Sequence, residues 1–418
     1  KSNMEFFHLF FIFIVVSACF AYINFKILKF PSTIGLMVVS TLFSLIILAL
    51  GFFFPSIKDF VTIRLSHINF SDLLLEGMLS FMLFAGAIHI KYHDLKSERL
   101  SIILFSTISV VVSTFIVGFA SYYLLNFFGL KVQLIHALLF GSLISPTDPI
   151  AVLSILKSAG VTKSLETKIA GESLFNDGVA VVVFMTILHI SAPNSSVQFS
   201  HIAILFGQEA IGGILLGLFL GWLGYKLLVT IDNYQVEVLI TIAIVMGGYT
   251  LAHYIHVSGP LAMVVAGIVT GNHGKALGMS TITAEYIDKF WELIDEILNA
   301  LLFVLIGLEL LVIDINSKIL LVGFILIFVV LIIRYISVLI PSALIRLKEK
   351  ITHHTLVILT WGGLRGGISI ALALSLPNYT EKNIWVSITY IIVCFSIVVQ
   401  GLTIGKLVNK KKQKGVLE

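Results

Sequence analysis

An all-α polytopic membrane protein with about thirteen transmembrane helices is the fold class this sequence predicts, on three observations. Of its 418 residues, 58% are hydrophobic and only 12% charged, and the mean hydropathy is +1.04. A soluble domain carries about a quarter charged residues, so a water-soluble globule would have nowhere to put this surface. Apolar stretches of roughly 20 residues, enough to cross about 30 Å of hydrocarbon, recur along the whole chain, and the charges cluster between them. A net charge of +4 on so apolar a chain does not describe a nucleic-acid binder. Cys19 and Cys394 each fall inside an apolar run, as buried thiols rather than a disulfide framework.

Lys1-Ser2-Asn3 precede Met4 and read as an expression scar, residues 1–3. A membrane domain over 4–407 follows, then a short basic cytoplasmic tail over 408–418. Apolar runs bounded by charge, Pro or Gly place spans at 5–25, 32–54, 71–90, 100–128, 132–156, 164–190, 202–228, 235–256, 258–272, 292–313, 319–345, 354–377 and 384–407. The first run has no small-residue cleavage site after it and is read as a retained span. Ser280 to Leu298 alternates acidic with large apolar residues, the pattern of an amphipathic interfacial helix feeding the tenth span. Ser56 to His67 repeats that pattern more weakly between the second and third spans.

Cytoplasmic loops retain Lys and Arg, and 19 of the basic residues fall on one side of the spans against 6 on the other. This predicts a cell-membrane protein with its C-terminus cytoplasmic and its N-terminus outside. Arg334 and Arg365 remain within spans, where a charge requires a partner or a water path.

Polar groups at membrane depth are functional candidates because each is costly there. In the fifth span, Pro146-Thr147-Asp148-Pro149 removes two backbone donors and frees the carbonyls of the preceding turn, so the helix is expected to break near Thr147. Freed carbonyls beside a carboxylate make an oxygen-rich cation site, tolerated at that depth only inside protein. In the sixth span, Gly171-Glu172-Ser173-Leu174-Phe175-Asn176-Asp177-Gly178 sets Ser173 and Asp177 on one helical face and Glu172 and Asn176 on the next. In the twelfth, Gly362-Gly363-Leu364-Arg365-Gly366-Gly367 permits unwinding or close approach around one arginine, for which Glu172 is the expected partner. A phosphate loop is rejected: no soluble strand–helix unit exists to hold one, and Gly271 to Lys275 lacks both the first glycine and the closing hydroxyl. The two interrupted spans are seven apart, so spans 1–6 and 8–13 are expected to be inverted repeats joined by the seventh, with the transport site at their interface.

These three motifs, in this order and spacing, resemble the electroneutral sodium/proton antiporters of the monovalent cation:proton antiporter family, the bacterial NhaP type related to animal sodium/proton exchangers. The resemblance covers nearly the whole membrane block. It implies an NhaA-like antiporter fold with two interrupted crossing helices, a mobile core that includes parts of 71–190 and 319–407, and dimerisation helices in the remainder. It also implies a homodimer in membrane lipid that works without cofactor or nucleic acid. By position, Asp177 would be the shared Na+ and proton site, Ser173 and Thr147 its oxygen ligands, and Asp148 and Asn176 the organisers of the crossing within the same site. Glu172 and Arg365 would form a structural ion pair. Relatives that move net charge have a second aspartate where this chain has Asn176, so one-for-one exchange is implied. Many members also have an acid in the third span where this chain has Ala85, and Glu76 lies about two turns earlier.

The expected activity is secondary exchange of Na+ or Li+ for H+, serving pH homeostasis, rather than enzyme catalysis. A carboxylate in a low-dielectric interior is neutralised by either a proton or a cation. If only the neutralised site crosses the barrier, that competition enforces exchange. The alternatives are a K+/H+ antiporter of the same fold, a cation channel, and an intramembrane aspartyl protease, whose Gly-x-Gly-Asp motif is missing before both aspartates. His89, His93, His273, His353 and His354 lie near expected cytoplasmic span ends and are read as solvated interfacial groups rather than a pH sensor.

Overall fold

The computed structural model describes residues 2–56, 61–62, 70–148, 150–192, 199–275, 279–313, 316–345 and 352–412. Most of the Ser56–His67 segment lies outside them, as do Arg346, Lys348 and Lys350 and the end of the tail, 413–418. Every regular element among the described residues is helical. That outcome follows from the solvent: in hydrocarbon a backbone satisfies its own N–H and C=O groups, and a helix does so within one segment.

The elements in chain order are α1 (Ser2–Ile23), α2 (Ser32–Phe53), α3 (Phe70–Ile88), the short α4 (Tyr92–Ser97), α5 (Arg99–Phe127), α6 (Leu134–Ile144) and α7 (Ile150–Ser158). There follow α8 (Lys163–Ser191), α9 (Phe199–Leu228), α10 (Tyr234–Tyr254), α11 (Gly259–Val269) and α12 (Thr281–Glu309). The remaining helices are α13 (Ser317–Ile345), α14 (His353–Trp361), α15 (Gly367–Leu374), α16 (Lys382–Phe395) and α17 (Gly401–Lys412).

Nine helices among the described residues are long and apolar enough to cross a membrane. Four expected spans take other forms. The fifth is the broken pair α6/α7 and the twelfth the broken pair α14/α15. The ninth is α11, only 11 residues before a π-helical turn over Thr270–Gly274. The tenth is α12, a single 29-residue helix with the expected amphipathic segment as its first half. Its start is fixed by Ser280, whose Oγ accepts the Thr283 N–H at 3.3 Å. Thr162, Ser258 and Thr352 cap α8, α11 and α14 in the same way.

The helices pack as two groups. In one, α5, α6 and α8 interlock with α13, α14, α15 and α16, so each interrupted helix is the middle member of a three-helix unit. In the other, α1, α2, α3, α9, α10, α11 and α12 pack together, with α3 against α11 and α12 and α12 against α2. The third span, expected with the core, thus makes most of its contacts in the second group. The two groups meet where α8 touches α9 and α11, and where α15 touches α12 and the start of α3.

Small residues permit the close crossings that lipid-embedded helices need. A Cβ on Gly141 of α6 would fall on the Thr114 carbonyl of α5, so the two backbones are in direct contact there. Polar contacts add to this within the second group: Ser44 Oγ of α2 donates to the Gly307 carbonyl of α12 at 2.8 Å. Cys19 is exposed at the outer surface of α1 and Cys394 is partly buried in α16, and both are free thiols.

Candidate ion-binding site at the helix crossing

The α6 helix stops at Ile144, residues 146–148 carry no regular structure, and α7 restarts at Ile150, as the paired prolines dictate. The glycine-rich stretch behaves alike: α14 stops at Trp361 and α15 starts at Gly367. The two non-helical segments cross and hydrogen-bond to each other, Asp148 N–H donating to the Leu364 carbonyl at 2.8 Å. A Cβ on Gly366 would overlap the Asp148 carboxylate, so only glycine lets the two segments approach this closely.

The crossing leaves backbone groups without helical partners, and the polar motif of α8 satisfies them. Asn176 reaches across to Thr147 twice: its Nδ2 donates to Thr147 Oγ1 at 2.7 Å and its Oδ1 accepts the Thr147 N–H at 3.3 Å. Ser173 Oγ donates to the Thr147 carbonyl. Thr147, Ser173 and Asn176 are all buried. Asp177, on the same face of α8 as Ser173, is buried too, and its carboxylate makes no hydrogen bond or ion pair among the described residues. Asp148 lies within electrostatic range of it. The sequence motifs therefore converge on one point at which Thr147 and Ser173 offer oxygens beside two carboxylates.

The charge pairing differs from expectation. Glu172 pairs with Arg334 of α13, Nη2 to Oε1 at 2.5 Å, and not with Arg365. Arg365 is near enough for its charge to reach Glu172, but its guanidinium is directed elsewhere. Its Nη1 donates to the carbonyls of Ser145 and, at 2.9 Å, of Pro146, the groups freed where α6 ends. A helix C-terminus carries partial negative charge, so a cation satisfies it as a carboxylate would. Arg334 does the same for the other broken helix, donating to the Leu359 carbonyl of α14 at 3.3 Å. Each interrupted helix thus has an arginine at its carbonyl end.

The Arg365 backbone is held by Ser396, whose Oγ accepts the Arg365 N–H at 2.9 Å and donates to Gln400 Oε1 at 2.7 Å. Ser396 and Gln400 open and close a π-helical turn between α16 and α17. Arg334 Nε and Arg365 Nη2, without hydrogen-bond partners among the described residues, flank a cavity of about 10 Å³, room for roughly one water. The sequence marked Arg334 as a buried charge that needs a partner, but linear spacing had no means of choosing between it and Arg365. Ser396 and Gln400 carry no signal that a sequence reading would single out.

In the third span, Ala85 is fully buried against α11 and α12, and Glu76 is exposed on a π-helical turn at the start of α3. Neither supplies an oxygen at the crossing. Among the histidines read as solvated, His93 is exposed, whereas His89 pairs with Asp288 at 3.2 Å and His354 is buried. No group of three or more His, Cys, Asp or Glu suited to a resident metal occurs among the described residues.

Two interrupted helices crossing at membrane depth, with a buried carboxylate beside the crossing, define a secondary ion transporter of inverted-repeat type. The chain belongs to the sodium/hydrogen exchanger family: the family model described as "Sodium/hydrogen exchanger, transmembrane" matches residues 14–410. Its relatives include the Na(+)/H(+) antiporter NhaP of Pseudomonas aeruginosa, 48% identical over 405 residues and covering 95% of each chain. The Na(+)/H(+) antiporter NhaH of Halobacillus dabanensis is 35% identical, covering 92% of this chain and 93% of its own. Among solved structures, the sodium proton antiporter MjNhaP1 of Methanocaldococcus jannaschii shares the fold, with a TM-score of 0.78 at 20% identity over 98% of this chain and 99% of that one.

Proposed function

We propose that this protein exchanges Na+ or Li+ for H+, one for one, across the cytoplasmic membrane, with the cation and the proton competing for Asp177. The observation that carries this reading is the Asp177 carboxylate, buried beside the crossing with no protein group bonded to it among the described residues. A carboxylate in that environment is neutralised by what arrives from solution, a proton or a cation. Ser173 and Thr147 are the oxygen ligands that replace part of the cation's hydration shell. Asp148 adds negative potential, and Asn176 holds the crossing in shape. Glu172 and the two arginines are structural charges: they fix the broken helix ends and stay out of the exchange.

The near-full-length relatives named as Na(+)/H(+) antiporters support sodium as the transported cation. In this reading the group built on the crossing is the mobile core, the α1–α3 and α9–α12 group forms the dimer contact, and the C-terminus is cytoplasmic. Alternating access follows from the core carrying the neutralised site past the other group.

The test is a proteoliposome assay with a proton-sensitive dye, adding Na+, Li+ and K+ in turn. Na+ and Li+ are expected to drive proton movement, and Asp177→Asn to abolish it. An imposed membrane potential is expected to leave the initial rate nearly unchanged. Full activity in Asp177→Asn would overturn the site, and a steep potential dependence would overturn one-for-one exchange.

A further inference from the structure

The acidic residues of α12 have no role in the site described so far. Asp288, Glu292, Asp295 and Asn299 follow each other at intervals of four, three and four residues, a single stripe along one face of the helix. The stripe spans about 16 Å along the axis at 1.5 Å per residue. Its outer end is fixed: Asp288 is ion-paired to Lys275 and to His89. Its inner end reaches the crossing, because Leu302, three residues beyond Asn299, is the side chain that a Cβ on Gly367 would strike. Gly367 opens α15 directly after Gly366, the residue packed against the Asp148 carboxylate.

Asp295 is placed between these ends. It lies within electrostatic range of both Asp148 and His89, and it is not ion-paired to any described residue. Asn299 lies one turn further in, 2% exposed, its Nδ2 bonded to the Asp295 backbone carbonyl at 2.8 Å. Its Oδ1 is buried and accepts no hydrogen bond from the described residues. A buried amide oxygen without a donor is costly. Such an oxygen next to a carboxylate is the pair of ligands a monovalent cation takes. No other acid is available at this depth from α3, where Ala85 occupies the packed position.

We propose that Asp295 and Asn299 form a second cation station on α12, which holds an incoming monovalent cation between the mouth at Asp288 and the site at Asp177. The station rests on the exchange reading given above. It belongs to the second helix group, so it stays in place while the crossing moves, and it raises the local cation concentration on the side from which α12 is entered. An oxygen pair on the path acts on cation capture and leaves the rate of the loaded carrier largely unaffected.

The experiment measures Na+ dependence of exchange in proteoliposomes at fixed pH, for the wild type, Asp295→Asn, Asn299→Ala and Glu285→Gln, the last an exposed acid one turn before Asp288 that is paired with Lys289. Asp295→Asn and Asn299→Ala are expected to raise the apparent KM for Na+ by about three- to tenfold with the maximal rate held within about twofold, and Glu285→Gln to change neither. An unchanged KM in Asp295→Asn, or a fall in maximal rate at constant KM, would overturn the station. If Asp295→Asn fails to fold, Asp295→Glu takes its place, with partial recovery of the wild-type KM expected over Asn299→Ala. Equilibrium Tl+ binding to detergent-purified Asp177→Asn separates the two readings. Residual binding that Asp295→Asn removes supports the station, whereas activity surviving in Asp177→Asn counts against the exchange site alone. No Tl+ binding in Asp177→Asn would overturn the station.

Discussion

The Glu172 carboxylate and the Arg334 guanidinium meet at 2.5 Å although 162 residues separate them in the chain, and both are buried. The pair ties α8, which carries Ser173, Asn176 and Asp177, to α13, and through the Leu359 carbonyl to the end of α14. Removing one member of a buried pair leaves the other uncompensated, which costs about 3–5 kcal/mol. Arg334→Met is therefore expected to lower the thermal midpoint of the detergent-solubilised protein strongly. The double variant Glu172→Gln/Arg334→Met is expected to recover much of the loss. Additive losses, read by fluorescence-detected size-exclusion chromatography after heating, would show that the two charges are not coupled.

Asn176 contributes both of its hydrogen-bonding groups to Thr147. Asn176→Ala leaves the segment at Thr147 without these partners, at a cost of about 1–3 kcal/mol for the buried groups left unsatisfied. Transport is expected to fall at least tenfold while Asp177 stays in place, because Thr147 is no longer held beside it. Exchange at the wild-type rate in Asn176→Ala would mean that the crossing keeps its shape without this bridge.

A pair of glycines separates packing at the site from general helix effects. Gly366→Ala sets a methyl group against the Asp148 carboxylate, whereas Gly247→Ala on α10 meets nothing within 4 Å. Gly366→Ala is expected to abolish exchange. Gly247→Ala is expected to be neutral or to stabilise α10 by about 0.5–1 kcal/mol, through the better helix propensity of alanine. Equal damage from both, measured as exchange rate and thermal midpoint together, would argue against close packing at the crossing as the cause.

The start of α12 is expected to be sensitive to acid. Partial burial pushes the Asp288 carboxyl up, but the hydrogen bonds from His89 and Lys275 outweigh it and hold the group below the usual carboxylate range. With the folded value below the unfolded one, the contribution is present above the ordinary carboxylate range and is lost as pH falls through the lowered value. Partial exposure limits it to roughly 1 kcal/mol or less. The wild type is expected to outlast Asp288→Asn in heating near neutral pH and to lose that advantage in strong acid. An advantage that persists in acid would point to packing instead.

Much of the site is legible in the amino-acid sequence. Pro146 and Pro149 remove donors wherever the chain goes, so the break around Thr147 follows from local chemistry. The spacing of Ser173, Asn176 and Asp177 on a helix settles which of them share a face. The partner of Arg365 is not legible there. An anion is the expectation for a buried guanidinium, yet Arg365 is satisfied by the Ser145 and Pro146 carbonyls. Those oxygens are ordinary in sequence and acquire their charge only because a helix ends at them in three dimensions. The third span likewise reads as core by position and packs mostly with α11 and α12, since sequence order does not specify which of two groups a helix joins.

By itself, the sequence determined the solvent this chain inhabits, the stretches that cross it, the two places where a helix is interrupted, and the few ionisable groups that remain inside. Hydropathy, missing donors and helical periodicity are properties of neighbouring residues, and neighbours are what a sequence records. Tertiary structure alone decided that Glu172 takes Arg334, that Arg365 holds the end of α6, and that Leu302 of α12 packs against Gly367 beside the crossing. Each of these depends on the distance between groups far apart in the chain, and electrostatic energy at short range in a low dielectric turns a few ångströms into the difference between a partner and a bystander.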